Sequence, residues 1–201
     1  MIRGAFTVGA WTMASRVLGF VRDILIAAVL GTGPVADAFF VALRLPNLFR
    51  RLFGEGAFNA AFVPAISTIL HKQGLRAATD FAEEATAVMA FWLGGITIIG
   101  EIFMPWLLYV LAPGFAGHGG RFDLAVGMSR VMFPYLFFIC LTALFSGVLN
   151  AMSRFAAAAA APVLFNLFMI AAMLWLAPYT RNPGYALAWG VTVSGLSLIH
   201  I

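Results

Sequence analysis

Apolar residues run through this chain in long blocks, and polar residues mostly mark the gaps between them. Six apolar segments stand out. The first runs from about Ala5 to Leu30 and ends at Gly31-Thr32-Gly33-Pro34, a turn composition. The second, from about Val35 to Leu70, is interrupted by Pro46, Gly54, Gly56 and Pro64. It is too long for one straight crossing and predicts a helix kinked or broken near Pro46 and Gly54. The polar stretch His71–Arg76 closes it. The third runs from about Ala78 to Leu111, before the loop that begins at Pro113-Gly114. The fourth spans Leu124 to Met152, and the fifth Phe155 to Tyr179. The sixth starts at Tyr185 and is still apolar at Ile201.

Each segment can hold the roughly 20 apolar residues that one bilayer crossing needs. The pattern therefore predicts an all-α polytopic membrane protein with six transmembrane helices. Composition agrees: 63% of the residues are hydrophobic and 10% charged, against about 25% charged in soluble domains. The first segment contains Arg16, Arg22 and Asp23, which does not suit a cleaved signal sequence. The single cysteine, Cys140, says nothing about redox compartment. An end inside an apolar run, without a polar flank, reads as a truncated chain whose sixth helix is incomplete.

Charge placement matters more here than the net charge of +4, which in a membrane chain gives no reason to expect a nucleic-acid partner. With the N-terminus on the cytoplasmic side, Arg3, Lys72, Arg76 and Arg154 fall inside, and Arg121 and Arg181 outside. The bias of basic residues favours that orientation. Most intramembrane charge sits in the first two segments, where Arg16, Arg22, Arg44, Arg50 and Arg51 face Asp23, Asp37 and Glu55. That leaves a surplus of two positive charges.

A charge at bilayer depth costs at least about 2.5–3.5 kcal/mol, so these arginines must line a watery cavity, pair with carboxylates or reach an interface. Arg16 lies roughly 16 Å into its helix, near the middle of the bilayer, where reaching an interface is hardest. Arg16 and Asp23 share one helical face, and Ser15 and Arg22 the adjacent one. Ion pairing can account for single arginines but not for the set. A cationic cavity accounts for the set, and arginine's planar fork suits a phosphate or pyrophosphate. No catalytic set stands out, and His71, His118 and His200 are scattered, so neither metal nor cofactor is expected. Glu101, alone in the third segment, is an intramembrane carboxylate.

The same residues carry a family likeness. Ser15-Arg16-Val17-Leu18-Gly19-Phe20-Val21-Arg22-Asp23, Asp37-Ala38-Phe39-Phe40-Val41-Ala42 and the stretch from Leu45-Pro46-Asn47 through Arg50-Arg51 and Glu55 to Phe58 resemble signatures of the MurJ/MviN family. Phe62-Val63-Pro64, Ala112-Pro113-Gly114-Phe115 and Phe133-Pro134-Tyr135 extend the likeness. It reaches about Gly195; Leu196–Ile201 does not resemble the family's continuation, which leaves open whether that tail is native.

The resemblance implies an exporter of the multidrug/oligosaccharidyl-lipid/polysaccharide superfamily. Such a flippase moves lipid II, the lipid-linked peptidoglycan precursor, across the bacterial inner membrane. Its implied fold has two six-helix lobes facing a central cavity, plus two further helices. Residues 1–195 would form the N-terminal lobe, and the C-terminal lobe would lie outside this chain. The family's binding residues map onto Ser15, Arg16, Arg22, Asp37 and Arg50, with Asp23, Asn47, Arg51 and Glu55 as secondary candidates. An exporter of another lipid-linked saccharide or anionic solute stays open as an alternative. So does a membrane-embedded enzyme acting on a lipid phosphate.

Overall fold

The structure, a computed structural model, describes residues 2–49, 51, 57–115, 119–152 and 154–200. Arg50 and Glu55 lie outside the described residues, as do Gly54 and Gly56. All regular structure among the described residues is helical. Helix α1 covers Ile2–Leu30, and Gly31 ends it with a φ of 61°, which only glycine adopts readily. Helix α2 (Pro34–Phe49) opens on a proline, whose missing N–H costs nothing at that position. Helix α3 (Ala57–Gln73) is separated from α4 (Leu75–Ile102) by Gly74, with a φ of 87°.

Helix α5 (Met104–Leu111) and a 3₁₀ turn at Pro113–Phe115 follow. Helices α6 (Gly119–Met132) and α7 (Tyr135–Ala151) meet at Phe133-Pro134. Helix α8 (Phe155–Ala171) continues as a π-helical stretch, Ala172–Leu176, and a 3₁₀ turn, Ala177–Tyr179. Helix α9 (Pro183–Leu198) starts at Asn182, whose side chain accepts from the Gly184 N–H at 3.0 Å.

Each apolar segment is helical over its described residues, and the second is divided as expected between α2, which ends at Phe49, and α3, which starts at Ala57, while other breaks were not expected. Pro46 does not interrupt α2: it sits in the last turn, where only three helical residues follow the lost hydrogen bond. The third and fourth segments, expected as single helices, break at Phe103 and at Phe133-Pro134. Proline explains both, because Pro105 occupies the first turn of α5 and Pro134 precedes α7.

Three helical runs among the described residues are long and apolar enough to cross a bilayer: Leu75–Ile102, Gly120–Ala151, which includes the break at Phe133-Pro134, and Phe155–Tyr179. Helix α1 has the length, at 29 residues, but Arg16, Arg22 and Asp23 interrupt its apolar run. Helices α2 and α9 have 16 residues each, about 24 Å, short of a hydrocarbon core of about 30 Å.

Helix α9 forms the centre of the bundle, packed on α6, α7 and α8. Its buried positions are largely small: Gly184, Ala186, Ala188, Gly190, Ser194 and Gly195. In lipid, apolar burial expels no water, so close backbone approach and packing hold helices together. A Cβ on Gly190 would stand 2.7 Å from the Cβ of Ala172, and one on Gly195 2.7 Å from the Tyr135 ring. Helix α2 packs on α6, helix α3 on α4 and α7, and α1 chiefly on α8. Outward faces carry large apolar side chains, among them Phe91, Trp92, Trp106, Val110 and Trp175. Soluble proteins rarely expose contiguous apolar surface on that scale, whereas a lipid-facing surface requires it.

Candidate functional site

Ser15, Gly19, Arg22 and Ile26 recur on α1 at spacings of three and four, with Arg16 and Asp23 beside them, so one helical face carries all six. That face borders a cavity of about 530 Å³, within the range of small-ligand sites. Phe40, Leu43 and Asn47 of α2 form a second wall. Tyr135 and Ile139 of α7, together with Pro162, Phe165, Asn166 and Met169 of α8, complete the enclosure. Helices α1 and α2 therefore meet across a hollow and not across a packed seam.

The two arginines of α1 are held differently. Arg22 donates from Nε and Nη2 to Asp23 Oδ1 at 3.0 and 2.8 Å, and from Nη1 to Asn166 Oδ1 at 2.8 Å. Its guanidinium carbon lies 5.6 Å from the centre of the Phe165 ring, within cation–π range. Asn166 in turn donates from Nδ2 to the Ser15 carbonyl at 3.0 Å. Its amide is only 4% exposed, so both its polar atoms need these partners. Arg22 is thus oriented from three directions and half neutralised. Arg16 is exposed to the cavity, and no carboxylate among the described residues pairs with it.

Of the sequence candidates, Ser15, Arg16, Arg22, Asp23 and Asn47 come together on this cavity. Asp37 does not line it: its Oδ2 lies 3.7 Å from Arg121 Nη1, with both side chains about half exposed. It therefore pairs with an arginine from the loop-side end of α6 and with none of the described arginines of the first two segments. Arg51 lines a neighbouring groove with Arg44. Glu101 sits on α4, away from the cavity. No group of three or more metal-ligating side chains converges among the described residues.

Asn166 and Phe165 are site residues that the sequence pattern did not single out. A signal existed, because Asn166 is the one amide side chain in an otherwise apolar fifth segment. Polar residues at membrane depth mark functional positions as charges do.

Comparison with known proteins narrows what this cavity belongs to. The family model described as "Lipid II flippase MurJ" matches residues 26–199. A probable lipid II flippase MurJ of Rhizobium tropici is 47% identical over 208 residues, covering 100% of this chain and 39% of the relative. The lipid II flippase MurJ of Burkholderia cenocepacia is 43% identical over 196 residues, covering 98% of this chain and 38% of the relative. A solved structure of lipid II flippase MurJ in an inward closed conformation superposes with a TM-score of 0.75 at 27% identity, over 96% of this chain and 41% of that one. The chain thus spans about two fifths of the length of these relatives. The relatives are named for moving a lipid, a transport role and not a catalytic one. An apolar multi-pass helical bundle, a cationic hollow on its first helix and a family match over most of its length lead to one conclusion: this multi-pass membrane protein belongs to the lipid II flippase MurJ family.

Proposed function

We propose that this chain forms the N-terminal lobe of a lipid II flippase, with residues 1–195 as the lobe and the remainder of the protein supplying its counterpart. The substrate's pyrophosphate sits against Arg16 and Arg22 while its lipid tail stays in the bilayer. Arg16 is the open cation, and Arg22 is the pre-oriented one. Arg50, assigned to the cavity by family resemblance, belongs to the same proposal. Six crossings follow if α2–α3, α4–α5 and α6–α7 each serve as one, alongside α1, α8 and α9. The N-terminus lies in the cytoplasm, as the distribution of the arginines and the single lysine, Lys72, favours, and the protein lies in the bacterial inner membrane. Alternating exposure of the cavity to the two sides completes transport.

The observation that carries this proposal is the pair of guanidiniums on one face of α1, bordering a hollow of about 530 Å³ with Asp23 as the one carboxylate among the described residues on its wall. Such a site attracts a multiply charged anion and gives it paired hydrogen bonds. The test uses the full-length gene in cells depleted of their own flippase. Arg16→Ala and Arg22→Ala should each abolish rescue of growth while protein levels stay normal. Rescue by both variants would overturn the proposal.

A further inference from the structure

A second groove, of about 380 Å³, runs along another flank of α2. Arg44 and Arg51 line it, with Leu48 of α2 and Leu111 at the end of α5. Asp37 and Arg44 are seven apart on α2 and share one stripe, and Arg51 lies two residues past the end of that helix. Asp37 is engaged by Arg121. Arg44 and Arg51 are exposed, and no carboxylate among the described residues pairs with either. Two guanidiniums without a carboxylate partner among the described residues, one on α2 and one just past its end, are expensive in a membrane unless something anionic meets them. Asn47 lines both this groove and the α1 cavity, so the two hollows adjoin at its amide.

The geometry points to Arg44 and Arg51 as a second anion site, which takes a carboxylate-bearing arm of the same lipid whose pyrophosphate occupies the first. This inference rests on the flippase reading above. A peptidoglycan precursor carries one pyrophosphate, so the first cavity already accounts for its phosphate charge. Its further negative charges are the carboxylates of the short peptide on its saccharide. Arginine forks hold carboxylates by paired hydrogen bonds, and the aliphatic walls of the groove suit the peptide's small side chains. Asn47, between the two sites, is placed to hydrogen-bond the saccharide that joins them, as its amide offers both donors and an acceptor.

The experiment compares two probes on full-length protein in nanodiscs: lipid II, and the same lipid-linked saccharide without its peptide. Arg44→Gln/Arg51→Gln should weaken lipid II binding about tenfold and leave the peptide-free lipid unchanged. Arg44→Gln alone should show a smaller effect with the same selectivity, so the test survives if the double variant folds poorly. Equal weakening of both probes would overturn the second site. So would unchanged binding of both, including the case where only the melting temperature falls because a carboxylate elsewhere in the protein is the partner. Arg16→Gln, run in parallel, should weaken both probes. If it weakens neither, the pyrophosphate reading fails; if it weakens both while the groove variants discriminate nothing, only the second site fails.

Discussion

Helix α9 is buried along most of its length and carries no charged residue, whereas α1 carries Arg16, Arg22 and Asp23 in its C-terminal half and, among its described side chains, buries only Ile26. Helix α9 packs chiefly on three neighbours, largely through glycine and alanine; α1 leans chiefly on α8 and borders the hollow together with it. Dense packing and membrane-depth charge are thus kept on separate helices. The dense helix fixes the bundle. The sparse one has space beside its charges for a ligand, and sparsely packed elements are the ones that move most readily.

The largest effect expected from breaking this division is at α9. Gly190→Val places methyl groups where even a Cβ would stand 2.7 Å from Ala172, and overpacking of this kind costs about 3 kcal/mol. Thermal unfolding of the full-length protein in detergent should show a clear drop, with loss of folded protein in membranes. An unchanged melting temperature would mean that α9 is not the packed centre. A smaller and more selective effect is expected at α8. Asn166→Leu keeps the volume but removes Arg22's acceptor and the bond to Ser15, a loss of about 1–2 kcal/mol. It should appear mainly as weaker binding of a pyrophosphate lipid, with partial rescue of growth. Full rescue with unchanged affinity would show that Arg22 does not depend on the Asn166 amide.

Much of this arrangement was legible along the chain. The six apolar blocks became helices because each is long and uncharged enough to need internal hydrogen bonding in lipid. The spacing of Ser15, Arg16, Arg22 and Asp23 placed them on two adjoining faces of one helix, since helical periodicity alone decides that. The breaks at Phe103 and Phe133-Pro134 escaped because hydropathy runs smoothly through Pro105 and Pro134, while backbone chemistry does not. The partners of Arg22 and Asp37 were not legible. Asn166 lies 144 residues from Arg22, and Arg121 is far from Asp37 in sequence, so only tertiary packing brings each pair together. Periodicity finds which residues share a face, but not what stands opposite that face.

The proposed cavity requires that one face of α1 meet water at membrane depth while the other meets lipid. Cysteine accessibility tests it most directly, in full-length protein whose native cysteines, including the buried Cys140, are replaced by serine. Arg16 borders the cavity, whereas its neighbour Val17 points away from it and is exposed. In intact membranes, a charged, water-borne thiol reagent should modify Arg16→Cys and spare Val17→Cys. Modification of both to the same extent, or protection of position 16, would contradict the hydrated cationic cavity.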